Sequence, residues 1–218
     1  MFLSTQYYAL IAGLREWTLD GADKGFDATE TYGEIRRELS PKDRRTAALL
    51  WSLVDIYGLE RTRVEWLYDR CEASRCDFLK DWARFDRNLR NIVAAHTARA
   101  KGMEVASNLL GGGDIVEALA KSSVADFSLR GELEYIDSLL GALDGKTGIV
   151  EKERAIDLIR WSKAESMAEF DSFGMPTVLS YLIKIGIIHR WEALDPEVGR
   201  QMYEKLLAAV KSEVKIAQ

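Results

Sequence analysis

Large apolar side chains recur along one segment at steps of four, three, four and three positions: Phe78, Trp82, Phe85, Leu89 and Ile92. At about 100° per residue, this spacing places all five side chains on one stripe of an α-helix. Alternation with a period of two, which would indicate half-buried strands, is nearly absent from the chain. We therefore predict a long amphipathic helix over residues 77–101 whose apolar face packs in a core.

Helix starts are marked at several other places. Ser40-Pro41 and Asp195-Pro196 combine an N-cap residue with proline at the first helical position, and Asp114 follows three glycines as a further N-cap. Only three prolines interrupt the 218 residues. We predict an all-α fold in which only residues 5–12 could pair as a strand and residues 20–33 form a surface loop. The remaining helices are predicted over residues 40–57, 59–74, 114–119, 123–143, 150–170 and 177–191, and from residue 195 onward.

The length and composition favour one soluble helical domain. A chain of 218 residues with 47% hydrophobic and 30% charged residues can bury enough apolar surface to fold without a metal or a disulfide. We predict a single helical domain over 1–218. The candidate lobes within it are residues 1–75 with 150–218, and residues 76–149.

Charge and composition exclude several classes. A net charge of −5 argues against a dedicated nucleic-acid binder, which usually carries a basic excess. Cys71 and Cys76 are the only cysteines in the sequence, and His96 and His189 are the only histidines. These four residues do not have the spacing of a zinc site, so we predict that the cysteines are ordinary reduced thiols. The start lacks the positive region of a signal peptide, and the apolar stretch 177–191 contains Lys184 and is shorter than the roughly 20 residues of a membrane span. We expect no membrane span.

Two glycine motifs resemble phosphate-binding loops without meeting their requirements. In "GALDGKT" three residues separate Gly141 from Gly145, where a P-loop has four, and the segment follows a predicted helix instead of a strand. The glycines at 111–113 precede a helix, but a tight bend is favoured over an anion site because no basic residue lies beside them in sequence. No catalytic signature is present. We predict no catalysis, no cofactor, no metal and no small-molecule substrate.

The polar face of the 77–101 helix is the predicted partner-binding surface. Arg87 is opposite the apolar stripe on the helical wheel, and Asn88 and its neighbours line one flank. Aspartates are interleaved with the arginines, a pattern that suits a protein partner or intrahelical ion pairs better than nucleic acid. His96 falls on the apolar stripe and is predicted to be packed or hydrogen-bonded. The predicted partner-binding residues are Arg84, Arg87, Asn88 and Asn91.

Three segments resemble an uncharacterised bacterial family encoded beside vacuolar-type ATPase subunits. They are "YYALIAGL", "EIRRELSPKDRR" and "FDSFGMPTVLSYLIKIGIIHRWEALDPEVGRQM". The chain departs from this family at Arg15, where proline is usual after "AGL". We expect that change to affect only the local turn.

A second resemblance lies in "NLRNIVAAHTARAKG" followed by "NLLGGGDIVEALAKSS". These segments are similar to the lobe pattern of the C (or d) subunit of V-type and A-type ATPases, a helical socket between the rotor ring and the central shaft. The pattern is carried by Asn88, Leu89, Arg99, Ala100, Lys101, Gly102, Leu110, Gly112 and Gly113. Those subunits have three related lobes, whereas this chain has one complete instance of the pattern.

The two resemblances imply a non-catalytic coupling subunit of a bacterial V/A-type ATPase. Its partners would be the central-shaft and membrane-ring subunits, and its location would be cytoplasmic, held at the membrane by the complex. The alternative is a free-standing helical adaptor or regulatory protein associated with the ATPase. The sequence leaves open which face meets which partner and whether the transported ion is a proton or sodium.

Overall fold

The computed structural model describes residues 6–19, 26–54, 56 and 58–193. Within these ranges every regular element is helical, so the predicted all-α class is confirmed. The α-helices are α1 (Tyr8–Ala12), α2 (Ala28–Glu38), α3 (Pro41–Val54), α4 (Arg61–Glu72), α5 (Asp77–Ala100), α6 (Asp114–Lys121), α7 (Ile136–Asp144), α8 (Ile149–Ala168) and α9 (Met175–Ala193), and Ala106–Asn108 form a 3₁₀ turn. No helix in the described ranges is long and apolar enough to cross a membrane.

Helix α5 lies at the centre of the packing. All five residues of its apolar stripe are buried, with Trp82 and Ile92 completely inaccessible, which confirms the predicted face. The helix contacts α3, α4, α6, α8 and α9. The buried apolar side chains of the described residues form one contiguous cluster. The division into two lobes remains a prediction.

Three helix connections lie at the same end of the bundle. Two sets of contacts show that helices α3 and α9 run parallel. Gly186 of α9 packs against Val54 at the carboxyl end of α3. At the amino ends, Tyr7 donates hydrogen bonds to the Phe173 carbonyl, just before α9, and to Asp43 in α3. Helix α4 returns along α3, with Cys71 Sγ lying 3.9 Å from the Leu49 carbonyl oxygen. The connections α2–α3, α4–α5 and α8–α9 are therefore neighbours.

The amino-terminal third differs from the prediction in two places. Residues 8–12 form helix α1, not a strand. Residues 28–33, at the end of the predicted surface loop, instead begin helix α2 (Ala28–Glu38), in which Ile35 is buried. Asp27 explains that start, since its carboxylate accepts hydrogen bonds from the backbone N–H groups of Thr29 (2.8 Å) and Glu30 (3.0 Å).

The segment before α7 is also different. A helix was predicted over 123–143, but regular helix begins only at Ile136. Phe127 and Ser128 both have left-handed backbone angles, with φ of 55° and 63°, which interrupts the helix. Phe127 is fully buried, and the Arg99 guanidinium lies 3.8 Å from its ring centroid. The burial of one aromatic side chain therefore overrides the local helical preference.

Other helix boundaries agree closely with the predictions. Helix α3 begins at Pro41, with the Ser40 hydroxyl accepting a hydrogen bond from the Asp43 N–H at 3.2 Å. The N-cap of α6 is Gly113, with φ of 102°, and not the predicted Asp114. The turn over 144–148 is present between α7 and α8. The helix predicted from Asp195-Pro196 lies outside the described residues.

Candidate functional site: the charged side of helix α5

The four predicted partner-binding residues differ widely in exposure. The Arg84 side chain is 59% exposed and lies 3.7 Å from Asp81 on the same helix. Asn88 is half-buried. Arg87 and Asn91 were predicted to lie on the surface, but the structure places both away from solvent. Each contacts a neighbouring segment of the chain and holds it in place. Arg84 and Asn88 are the members of the set that remain accessible to a partner.

The prediction that Arg87 points outward is wrong. Its side chain is only 13% exposed, and its guanidinium lies 2.9 Å from the carboxylate of Glu72 and 3.8 Å from that of Asp69. On its other side it packs against Gly111, where a Cβ would come within 2.8 Å of Arg87 Nη1. The helical wheel located the core side correctly, but α4 and the glycine bend cover the opposite side. The tight-bend interpretation of the glycines is therefore supported at Gly111.

Asn91 is a second correction, since it is buried with 1% exposure. Its amide nitrogen donates to the Leu110 carbonyl at 2.9 Å, and its amide oxygen accepts from the Leu110 N–H at 2.8 Å. This reciprocal pair imitates backbone pairing and fixes the segment after the 3₁₀ turn against α5. The Asn91 amide is consequently committed within the protein.

A buried ionic network, absent from the sequence predictions, joins α5 to α4 and α8. Its centre is Asp86, which is completely buried. The carboxylate accepts hydrogen bonds from the Tyr68 hydroxyl (2.7 Å), Arg90 Nε (2.9 Å) and Arg160 Nε (2.8 Å). Burial acts to raise the pKa of Asp86, but the two guanidinium groups outweigh it and lower the pKa to about 2. Asp86 is therefore a carboxylate at neutral pH.

The same network continues into α9 through Asp157. Arg160 Nη1 lies 3.2 Å from Asp157 Oδ1, and Asp157 Oδ2 accepts hydrogen bonds from Trp191 Nε1 (2.8 Å) and from Arg190. Arg190 also donates to Glu153 at 3.0 Å. Among the described residues, three carboxylates (Asp86, Asp157 and Glu153) face three guanidinium groups (Arg90, Arg160 and Arg190), and together with Tyr68 and Trp191 they cross-link α4, α5, α8 and α9.

A groove of about 440 Å³ lies beside the network between α5, α8 and the 3₁₀ turn. Its lining includes Arg90, Arg160 and Asp157, together with apolar Leu89 and Ile156. Three arginines line the groove, and each is already paired with a carboxylate: Arg61 with Glu65, Arg90 with Asp86, and Arg160 with Asp86 and Asp157. They therefore provide no excess charge for an anion. The groove is therefore better explained by the packing of the network than as a phosphate site.

The candidate reactive groups among the described residues are the cysteines, the metal-ligating side chains and His96. Burial raises the pKa of the Cys71 thiol to about 12, and burial also raises that of Cys76, so both are neutral thiols and poor nucleophiles. Both cysteines are free. No group of three or more metal-ligating side chains occurs in the part of the chain that the structure describes. His96 Nε2 lies 2.8 Å from Asp144 Oδ1, which confirms a hydrogen-bonded histidine.

We expect Arg87→Ala to lower the free energy of unfolding by about 1–2 kcal/mol, because it leaves the half-buried Glu72 carboxylate without its guanidinium partner. Arg84→Ala, on the exposed side of the same helix, should cost less than about 0.5 kcal/mol. Urea denaturation of both variants measures the difference. Equal costs for the two variants would contradict the buried position of Arg87.

The comparisons with known proteins identify a family but no function. The family described as "Protein of unknown function (DUF2764)" matches residues 60–214, which is more than half of the chain. This match contains α4 to α9 and therefore every member of the buried network. No curated protein and no solved structure matches the chain significantly.

Proposed function

The chain belongs to the DUF2764 family of unknown function, and we propose that it is a non-catalytic, C/d-like coupling subunit of a bacterial V/A-type ATPase, linking the central shaft to the membrane rotor ring. The proposal includes a cytoplasmic location, held at the membrane by the complex. It rests first on the sequence resemblance of residues 88–102 and 108–123 to that subunit.

The single observation that supports it best is that this stretch forms one helix–bend–helix unit. Gly102 follows the end of α5 with φ of 65°, and Gly113 precedes α6 with φ of 102°, both in the region that favours glycine. Leu89 is buried, and Arg99 donates to the Val124 carbonyl at 2.7 Å. Residues of the shared pattern therefore have defined structural roles in ending one helix and starting the next.

The packing also suits a subunit that transmits force. Torque between a shaft and a ring requires helices that keep their relative positions, and it requires no reactive group. The Arg160–Asp86 ion pair connects α8 to α5 across 74 residues of sequence, and the Arg190–Asp157 ion pair connects α9 to α8 across 33 residues. Because separating a buried charge from its partner is strongly destabilising, these pairs favour one relative position of the helices.

Affinity isolation of the ATPase from its native membrane, with this chain tagged, tests the proposal. We expect shaft and ring subunits to copurify at a fixed stoichiometry. Deleting the gene should abolish ATP-driven ion pumping while the detached head still hydrolyses ATP. Recovery of the tagged chain without shaft and ring subunits would contradict the proposal and favour the adaptor or regulator.

A matched pair of variants tests whether the exposed side of α5 takes part. Arg84→Glu should reduce the recovery of the shaft or ring subunits. Arg130→Glu is the control, because Arg130 is also an exposed arginine with an aspartate partner, with 67% side-chain exposure. Equal recovery of the shaft and ring subunits with both variants would mean that the exposed side of α5 is not part of the interface. The subunit assignment would then be tested by the wild-type isolation alone.

A further inference from the structure

The first turn of α8 carries two large apolar side chains that are uncovered. Ile149 is 81% exposed and Val150 is 61% exposed. Val150 lies seven residues before Asp157, which is buried and accepts a hydrogen bond from Trp191 of α9. Seven residues are about two helical turns, so Val150 continues the side of α8 that faces α9. The inner side of this helix therefore ends in an apolar face without a neighbour among the described residues.

Helix α9 ends too early to cover this turn. The two helices run antiparallel, because Lys184 Nζ lies 3.2 Å from the Glu165 carboxylate near their connection and Trp191 donates to Asp157 at 2.8 Å farther away. Each step back along α8 therefore corresponds to about one step forward along α9. By this register Val150, seven residues before Asp157, is level with position 198, seven residues after Trp191. Helix α9 ends at residue 193, about five positions short of that level.

The sequence that follows α9 offers an apolar face with a matching position. From the predicted helix start at Asp195-Pro196, apolar residues recur at steps of four, at Val198, Met202, Leu206 and Val210. An amphipathic helix gains most of its stability by packing such a face against another element. The family match continues to residue 214, so this segment belongs to the same family unit as α4 to α9. Its first apolar position, Val198, is the one that the register places level with Val150.

We propose that the chain's own residues 196–214 dock on the first turn of α8, with the apolar positions that begin at Val198 covering Ile149 and Val150. A short tether selects this occupant over a separate molecule. The segment starts about five residues from the exposed face, and a connection that short gives an effective concentration on the order of millimolar. The contact buries apolar surface on both sides, which favours it. The proposal goes beyond the ATPase assignment and does not depend on it.

Crosslinking of the full chain tests this proposal. Oxidation of the double variant Val150→Cys with Val198→Cys should form a disulfide within one chain, detected by non-reducing electrophoresis and by mass spectrometry of the linked peptides. The single variants report any disulfide that the native thiols contribute. Ser162→Cys with Val198→Cys is the control, because Ser162 is exposed on α8 about three turns farther along. A disulfide between two chains, no disulfide at all, or equal crosslinking in the control would overturn the proposal.

A double-variant cycle in urea tests the same contact without new cysteines. Val150→Ser and Val198→Ser should each lower the equilibrium constant for folding about tenfold, and the two together by little more, because both remove one shared contact. Leu158→Ser is the control, since Leu158 is 53% exposed on another side of α8 and its effect should combine independently with that of Val198→Ser. Independent effects of Val150→Ser and Val198→Ser would overturn the proposal. Such a result would leave the ATPase copurification unaffected, so the two proposals can fail separately.

Discussion

Asp86→Asn should destabilise the folded protein by about 3–5 kcal/mol, the usual cost of removing one partner from a buried ion pair. The substitution keeps the size of the side chain but removes the charge that Arg160 and Arg90 share. Arg160 is itself only 3% exposed, so its guanidinium would lose one of its two buried counterions. Guanidinium chloride denaturation measures the change.

Asp81→Asn is the matched control, because it makes the same chemical change one turn earlier on α5. Asp81 is 62% exposed and lies 3.7 Å from Arg84, so this variant should cost less than about 0.5 kcal/mol. A cost for Asp86→Asn as small as that for Asp81→Asn would mean that the buried network contributes nothing to stability.

The pH dependence of stability provides a separate test of the same network. The pKa of Asp86 falls from an ordinary 3.8 to about 2 in the folded protein, so the unfolded chain binds more protons between these values. The stabilisation is therefore complete above pH 4 and is lost as the pH falls through about 2, with a size of roughly 2 kcal/mol. Asp86→Asn should lack this part of the acid dependence. An unchanged acid profile would contradict the depressed pKa.

Local periodicity predicted one side of α5 well and the other side poorly. The apolar stripe fixed the core-facing side because those residues repeat within a single helix. Arg87 is opposite that stripe, but its surroundings depend on Glu72 and Gly111, which belong to other segments. A helical wheel contains no information about a second layer that packs on the outer side, and so it placed Arg87 in solvent.

One signal in the sequence could have revealed the buried network. Asp86 lies four residues after Trp82 and three before Leu89, which are both core positions, so it falls on the same stripe. Asp157 stands in a similar relation to Trp161, four residues later. A carboxylate on a core-facing stripe requires a buried cation, but the partner Arg160 lies 74 residues from Asp86, and only the tertiary fold reveals that pairing.

Turn chemistry limited the prediction between α6 and α7. Charged and apolar residues over 130–143 have helical spacing, but the chain turns at Phe127 and Ser128 before it becomes helical at Ile136. Left-handed angles at two successive residues other than glycine are uncommon, and the only local signal is an Asx turn in which Asp126 Oδ1 accepts the Ser128 N–H at 3.0 Å. The tertiary contact between Phe127 and Arg99 decides the conformation.

Trp82→Ala should lower the free energy of unfolding by about 3–5 kcal/mol, the cost of emptying a large buried aromatic site. Trp82 is completely buried, its ring centroid lies 5.3 Å from that of Phe85, and the Arg160 guanidinium lies 5.9 Å from its ring. Removing the indole therefore leaves a cavity in the core and withdraws support from the ionic network beside it.

Trp66→Ala provides the control for Trp82→Ala. Trp66 is 47% exposed on α4 and contacts the Arg63 guanidinium at 4.2 Å from its ring centroid, so its loss should cost less than about 1 kcal/mol. A double variant of Trp82→Ala and Asp86→Asn should cost less than the sum of the two single changes, because both disturb the environment of Arg160. Strict additivity in chemical denaturation would mean that the aromatic core and the ionic network stabilise the fold independently.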